Sequence, residues 1–362
     1  MKKIRIISLI FVMGFAANHL FGQDMNYTQF VNNPVYYNPA YTGLSIGLRA
    51  RLSFRDQWPA LPYDFKAYHF EADLGDRNLP GSGGVGLFIN TDNEGIGFIK
   101  NLNLGLSMAV RIPFSALAVG QVGVKVSWLQ KSVNWDDFTF SDALSERYGN
   151  IYNTGFIRPE QNVRNMPDFG VGGAVQFGNE QRSYSGTVGL AVDHLFEPDQ
   201  SFLQTAKAPL PRKWVANADM VFVVGSSSGF NRMTEGGLRI SPGIIYQNQG
   251  GLNSIQGGLN MTKFNVLVGL WYKGSFGSYQ NGICAIMAGY GYEFADNLSL
   301  KFTYSYDIQM TGALAGTGGA HEISLIFDFN SASVFGGQSA GFGNRRGGHF
   351  EGQTPWECEA FQ

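Results

Sequence analysis

Hydrophobic and polar residues alternate along most of this chain with a period of two. From Asn101 to Ile112, Leu102, Leu104, Leu106, Met108, Val110 and Ile112 are interleaved with Asn103, Gly105, Ser107, Ala109 and Arg111. Ile46, Leu48, Ala50, Leu52 and Phe54 are interleaved with Gly47, Arg49, Arg51 and Ser53, and Leu298, Leu300, Phe302, Tyr304 and Tyr306 with Ser299, Lys301, Thr303 and Ser305. Side chains of a strand point to opposite faces in turn, so each run has one oily and one wet face. Repeated segments of this length separated by turns predict a transmembrane antiparallel up-and-down β-barrel.

Tiling the pattern gives about fourteen strands, at residues 46–54, 66–74, 83–90, 98–112, 118–130, 168–177, 183–192, 212–224, 236–247, 253–261, 264–272, 282–294, 298–307 and 322–329. The ninth and twelfth alternate poorly. Connections after even-numbered strands include tight turns at Thr262-Lys263 and Ala295-Asp296-Asn297, whereas those after odd-numbered strands include 131–167 and 308–320. Short turns belong on the periplasmic side and long loops outside, which puts both termini in the periplasm. The turn at 225–235 is longer than this rule expects. The loops 131–167 and 193–211 are then expected outside the cell.

Composition strengthens the membrane reading. The chain has 48 Gly among 362 residues, 14% aromatic and only 15% charged residues, against roughly 25% charge in soluble domains. A net charge of −2 gives no basic surface for nucleic acid. Lys2, Lys3 and Arg5 precede an apolar run from Ile6 to Ala17, which reads as a secretory signal peptide over residues 1–23. The expected organisation is then an N-terminal periplasmic or plug segment at 24–45, an outer-membrane barrel at 46–330 and a Gly-rich periplasmic tail at 331–362.

Alternation also assigns a lumen. Arg49 and Arg51 of the first strand, and His69, Glu71 and Asp73 of the second, share the inward face. Pairing Phe54 with Lys66 would set Arg49 opposite Glu71 and Arg51 opposite His69. Arg111, Lys125, Asp219, Arg239 and Lys301 are also read inward, an interior of both signs rather than a single-sign ring that selects ions. This predicts a largely filled lumen closed by a polar network, with the Tyr27 to Tyr41 segment as a second candidate for the closure.

Other chemistry is sparse. His69, His194, His321 and His349 lack metal-ligand spacing, and no cofactor site is expected. The segment Asn90 to Gly95 lacks the full spacing of a calcium loop and reads as a hairpin turn. Gly81 to Gly84 and Gly225 to Gly229 lack the Lys and helix of a phosphate loop. Asp136, Asp137, Asp142 and Glu146 read as a solvated loop, so no catalytic pair is assigned. Cys284 and Cys358 fall near opposite ends of the barrel and are expected not to pair, leaving Cys358 available to a partner.

The segment Asn38-Pro39-Ala40-Tyr41-Thr42-Gly43 is read as a shaped turn entering the first strand, because Pro39 biases Asn38 toward extended geometry and Gly43 can take a positive φ. Alternatively Tyr27 to Tyr41 folds into the periplasmic mouth as a plug or presents a docking surface. Tyr27-Thr28-Gln29-Phe30 and Asn33-Pro34-Val35-Tyr36-Tyr37-Asn38-Pro39-Ala40-Tyr41-Thr42-Gly43 resemble the opening of the PorP/SprF family of type IX secretion membrane proteins. The resemblance continues through Arg55-Asp56-Gln57-Trp58, 133–140, Leu210-Pro211-Arg212-Lys213, Gly269-Leu270-Trp271-Tyr272 and 319–325. It implies an outer-membrane barrel of Bacteroidetes-type bacteria, working with secretion or gliding components and engaging a secreted, adhesin-like surface protein. A diffusion channel or hydrophobic-substrate transporter is the alternative, and an enzyme a distant third.

Overall fold

The computed structural model describes residues 24–329, apart from interruptions at 63–64, 77–78, 80, 82, 96–98, 116, 146, 180–182, 204–205, 225–236, 277–280, 296–297 and 311–315. Fourteen antiparallel strands close into a barrel. They are β1 (Gly47–Gln57), β2 (Phe65–Gly75), β3 (Gly84–Glu94), β4 (Ile99–Ser115), β5 (Ala118–Val133), β6 (Val163–Gly178) and β7 (Tyr184–Asp193). The second half comprises β8 (Lys213–Val224), β9 (Leu238–Gln249), β10 (Leu252–Lys263), β11 (Val266–Phe276), β12 (Asn281–Ala295), β13 (Leu298–Gln309) and β14 (Ala320–Phe329). Each pairs with its sequence neighbours and β1 closes on β14, which removes every sheet edge. A two-stranded piece, Leu144–Ser145 with Gly149–Asn150, lies within the β5–β6 loop.

The two faces divide as the alternation requires. Along β4 and β5, Leu106, Met108, Val110, Val122, Val124 and Val126 are exposed, while Ser107, Ala109, Gln121, Lys125 and Ser127 between them are buried. The apolar outer band is flanked at one end by Tyr68, Trp128, Trp214, Tyr246 and Phe276, and at the other by Phe114, Tyr184, Phe264, Tyr290 and Tyr292. Such aromatic rings mark the two interfaces of a bilayer around a barrel. No described helix is long and apolar enough to cross a membrane.

Only two residues separate β4 from β5, β10 from β11 and β12 from β13, whereas residues 134–162 and 194–212 follow odd strands. We call the two ends of the barrel the turn end and the loop end. Gly250 and Gly251, with φ of 58° and 82°, make a two-residue hairpin at the loop end, so that end also holds one tight turn. β8 ends and β9 begins at the turn end, and 13 residues separate them in the chain. Asn90 to Glu94 are not the expected turn: they continue β3, paired with Ile99 to Asn103.

Between Ser241 and Pro242 of β9 and the neighbouring β8 the pairing lapses, while pairing to β10 continues through Leu259 opposite Pro242. Proline has no N–H to give the ladder, which accounts for one missing rung.

Candidate functional site

The main apolar cluster of this molecule lies inside the barrel, and residues 24–45 supply half of its buried members. Tyr27, Phe30, Val31, Tyr36, Tyr37, Ala40, Tyr41 and Leu44 form one apolar cluster with Val215, Ile245, Trp271, Ala285 and Met287 from the barrel wall. Tyr27 meets Tyr36 edge-on at 5.7 Å, and Phe30 meets Trp271 edge-on at 5.3 Å. The segment forms a 3-10 turn at Phe30–Asn32, one α-helical turn, α1, at Pro34–Tyr37, and a second 3-10 turn at Pro39–Tyr41. Pro34 and Pro39 each start a turn, where a missing N–H costs nothing. Asn38 is extended, with φ of −152°, and its side chain accepts a 2.9 Å hydrogen bond from Ala40 N–H, which caps the last turn.

The chain crosses the lumen from one end to the other. At the loop end the Asp24 carboxylate lies 3.2 Å from Lys213 Nζ and 3.0 Å from His194 Nε2, while His194 Nδ1 meets Asp168 at 2.9 Å. At the turn end Gly43 N–H donates to Asp73 at 2.9 Å, and Arg111 donates to the Leu44 carbonyl at 2.5 Å. Residues 24–45 were expected at the turn-end mouth, and both termini on one side. Asp24 and Phe329 instead lie at opposite ends of the barrel, because the segment runs the length of the lumen before β1 starts.

Between those ends the polar wall answers the segment's backbone. Glu322 accepts from Thr28 N–H at 2.8 Å and Gln29 N–H at 2.9 Å, and Glu71 accepts from Tyr36 N–H at 3.2 Å. Lys125 donates to the Tyr36 carbonyl at 2.9 Å and pairs with Asp193 at 2.8 Å. Thr42 bonds Ser107 at 2.8 Å, its carbonyl accepts from Gln121 at 2.6 Å, and Asn217 donates to Tyr41 at 2.5 Å. Irregular backbone without these partners would leave buried polar groups unsatisfied. Small residues make the space: a Cβ on Gly123 would collide with the Pro39 carbonyl, and one on Gly172 with the Asn38 amide. Gly43 has φ of +62° and packs against Gly84, so it needs glycine twice over.

Besides these pairs, two clusters of described lumen charges form around the arginines of β1. Arg51, 2% exposed, bridges Glu71 at 2.8 Å and Asp73 at 2.6 Å, with His69 at 3.1 Å from Glu71; Arg49 pairs with Asp328 at 2.7 Å. The β1–β2 register differs from the expected one. Phe54 lies opposite Tyr68, so Arg49 faces Asp73, Arg51 faces Glu71 and Ser53 faces His69. Both strands run on past the tiled ends, to Gln57 and from Phe65, and a slip of two residues keeps every side chain on its face. The second cluster was not anticipated: Arg55 bridges Asp307 at 2.8 Å and Glu322 at 2.9 Å, and also donates to Thr28. Arg55 continues the odd-numbered series of Arg49, Arg51 and Ser53, a signal lost by ending the strand at Phe54.

The remaining residues are placed as follows. Asp219 is buried, and Arg239 and Lys301 are half-buried on the lumen face near the turn end. His321 lies on the outer face against Tyr304, to which it hydrogen-bonds at 2.8 Å. Cys284 is a free, half-buried thiol. Cys358, His349, Glu146 and Gly225 to Gly229 lie outside the described residues. No described His, Cys, Asp and Glu residues group as metal ligands. Outside the barrel, Trp135 contacts Phe138 and Phe156 of its own loop and Phe202 of the 194–212 loop, so the two long loops share one aromatic cluster.

The family described as type IX secretion system membrane protein PorP/SprF matches residues 20–327. The chain belongs to that family. This PorP/SprF protein is therefore an outer-membrane β-barrel associated with the type IX secretion system. It is similar to the crystal structure of a Pseudomonas aeruginosa FadL homologue, at 13% identity and a TM-score of 0.44, over 83% of this chain and 94% of that one. The Pseudomonas putida toluene transporter TodX is similar at 9% identity and a TM-score of 0.41, over 86% of this chain and 99% of that one. For Acinetobacter baumannii Omp33 the values are 9% and 0.38, over 80% and 99%. No curated protein matches this chain.

Proposed function

We propose that this PorP/SprF protein is a closed docking barrel, which engages a secreted surface protein at its loop end for secretion or attachment to the cell. One observation carries the reading: residues 24–45 fill the lumen from Asp24 to Leu44 and are hydrogen-bonded to the wall at both ends. A barrel so filled offers its mouth and loops, rather than a channel, as its working surface. The loops 134–162 and 194–212 are the longest described connections, share an aromatic cluster and expose Tyr148, Tyr152, Ile157 and Phe196. Large apolar side chains gathered on exposed loops are the usual material of a protein contact. In this reading the loop end faces outward, Phe329 is periplasmic, and Asp24 sits at the outer mouth. Binding is the activity in this reading.

A clean deletion tests it. Surface proteomics should show the loss of one or a few secreted proteins, while uptake of small solutes remains unchanged. Normal surface display of every type IX cargo would overturn the reading.

A further inference from the structure

A cavity of about 330 Å³ opens at the loop end, floored by Asp24 to Asn26 and walled by β1, β3, β11 and β13. On its β3 side, Asp92 and Glu94 stand two residues apart on the lumen face. Both accept from the same Asn101 amide, at 2.8 and 2.6 Å, and Asp92 has a further 3.4 Å contact from Asn90. Among the described residues neither carboxylate is ion-paired, in contrast to Asp73, Asp193, Asp307, Glu71, Glu322 and Asp328 of the lumen wall. Lys131, opposite Asn101 and outside the cavity lining, is the described cation that acts on Asp92, and it forms no ion pair with it. Two carboxylates sharing one neutral donor remain short of positive charge.

A second observation points the same way. Asp307, 2% exposed, also lines the cavity, and its Oδ1 is buried with no hydrogen-bond partner; its Oδ2 takes Arg55 and Thr28. Gln309 Oε1, on the same wall, is likewise without a partner. Arg55 Nε is the one described donor of the cavity left so. Lys273 is turned to the floor, donating to the Asn26 carbonyl at 3.3 Å. Trp58 and Phe65, with rings 4.9 Å apart, add aromatic surface at the rim. Buried acceptor atoms without donors, two carboxylates outside any ion pair and aromatic rings are what an ammonium or guanidinium group requires.

We propose that this cavity binds an organic cation, a guanidinium or primary ammonium group on a short chain, with Asp92 and Glu94 as its counter-ions. The group can come from a basic side chain of a polypeptide or from a free small amine. The site stands apart from the cargo reading, since small probes test it whether or not a protein docks above.

The test is calorimetric titration of the purified full-length barrel with N-acetyl-arginine amide, its neutral isostere N-acetyl-citrulline amide, and agmatine. Saturable binding of the arginine probe or agmatine, weakening with added salt and absent for the citrulline probe, is the expected result. Asp92→Asn with Glu94→Gln should weaken that binding by about tenfold or more, the worth of a charge-assisted pair at a partly enclosed site. A tighter fit for the arginine amide assigns a polypeptide source, and a tighter fit for agmatine a small-molecule one. No saturable binding, or equal binding of citrulline and arginine probes, overturns the proposal without any variant; unchanged affinity in a folded double variant also overturns it.

Discussion

Arg51 is held between two carboxylates, and removing the guanidinium would leave Glu71 and Asp73 facing each other in a site closed to water. Breaking a buried pair by deleting one partner costs about 3–5 kcal/mol. Arg51→Met should therefore lower the urea midpoint of the detergent-solubilised barrel, and adding Asp73→Asn should recover part of the loss. A midpoint equal to wild type would show that the pair contributes nothing to stability. In the loops, hydrogen bonds to ionised carboxylates set a pH limit. Asp142 accepts from Gly155 N–H at 2.7 Å and from Thr154, which holds its pKa below the ordinary 3.8; Asp199 is lowered in the same way by Ala208 and Ser201 N–H. A depressed carboxyl stabilises the ordered loop above its unfolded value and loses that contribution as pH falls through its folded value. Protease access to 134–162 and 194–212 should hold steady down to about pH 4 and rise below it, and Asp142→Asn should raise access to 134–162 at neutral pH. Equal access at pH 3 and pH 7 would count against it.

The strands follow from alternation because one face meets lipid and the other the lumen, and that contrast is sharpest in β4 and β5. It blurs in β9 and β12 for a physical reason. There Ile245, Ala285 and Met287 point inward yet are apolar, since they pack on the aromatic core of residues 24–45. Parity was likewise enough to place Arg49, Arg51, His69, Glu71, Asp73 and Lys125 in the lumen, but not to pair them. Pairing depends on loop length, and the β1–β2 loop is short enough that three further rungs form beyond Phe54. The path of residues 24–45 has no period to read, because its turns are set by prolines and by partners more than 130 residues away, such as the Gly173 and Leu190 carbonyls that Asn38 reaches. Gly123 and Gly172 then test the segment as an element. Gly172→Val puts side-chain atoms where the Asn38 amide lies, so residues 24–45 should lose protection in hydrogen exchange while β6 stays paired. Unaltered protection would mean that the fit is looser than its geometry.

At the scale of the molecule, a fourteen-strand barrel is wide enough to conduct if emptied, and the N-terminal segment decides whether it does. Orientation comes first. In a cysteine-free background, Ile157→Cys, whose parent side chain is 90% exposed, should react with an impermeant maleimide on whole cells, and Phe264→Cys should not. The opposite pattern would invert the barrel and move the cation cavity to the periplasmic side. Conductance follows from the filling. The protein should give no large, steady channels in planar bilayers, because Glu71, Glu322, Lys125 and Arg111 are all engaged with the segment's backbone and its aromatic residues pack against the barrel wall. Deleting residues 26–42 removes that core and frees the wall charges. Provided the shortened barrel still migrates as a folded, heat-modifiable band, it should conduct, with only weak selectivity because the exposed lumen carries both signs. Large stable conductance from the intact chain would identify it as a pore, and silence from a folded deletion variant would mean that something other than residues 24–45 seals the barrel.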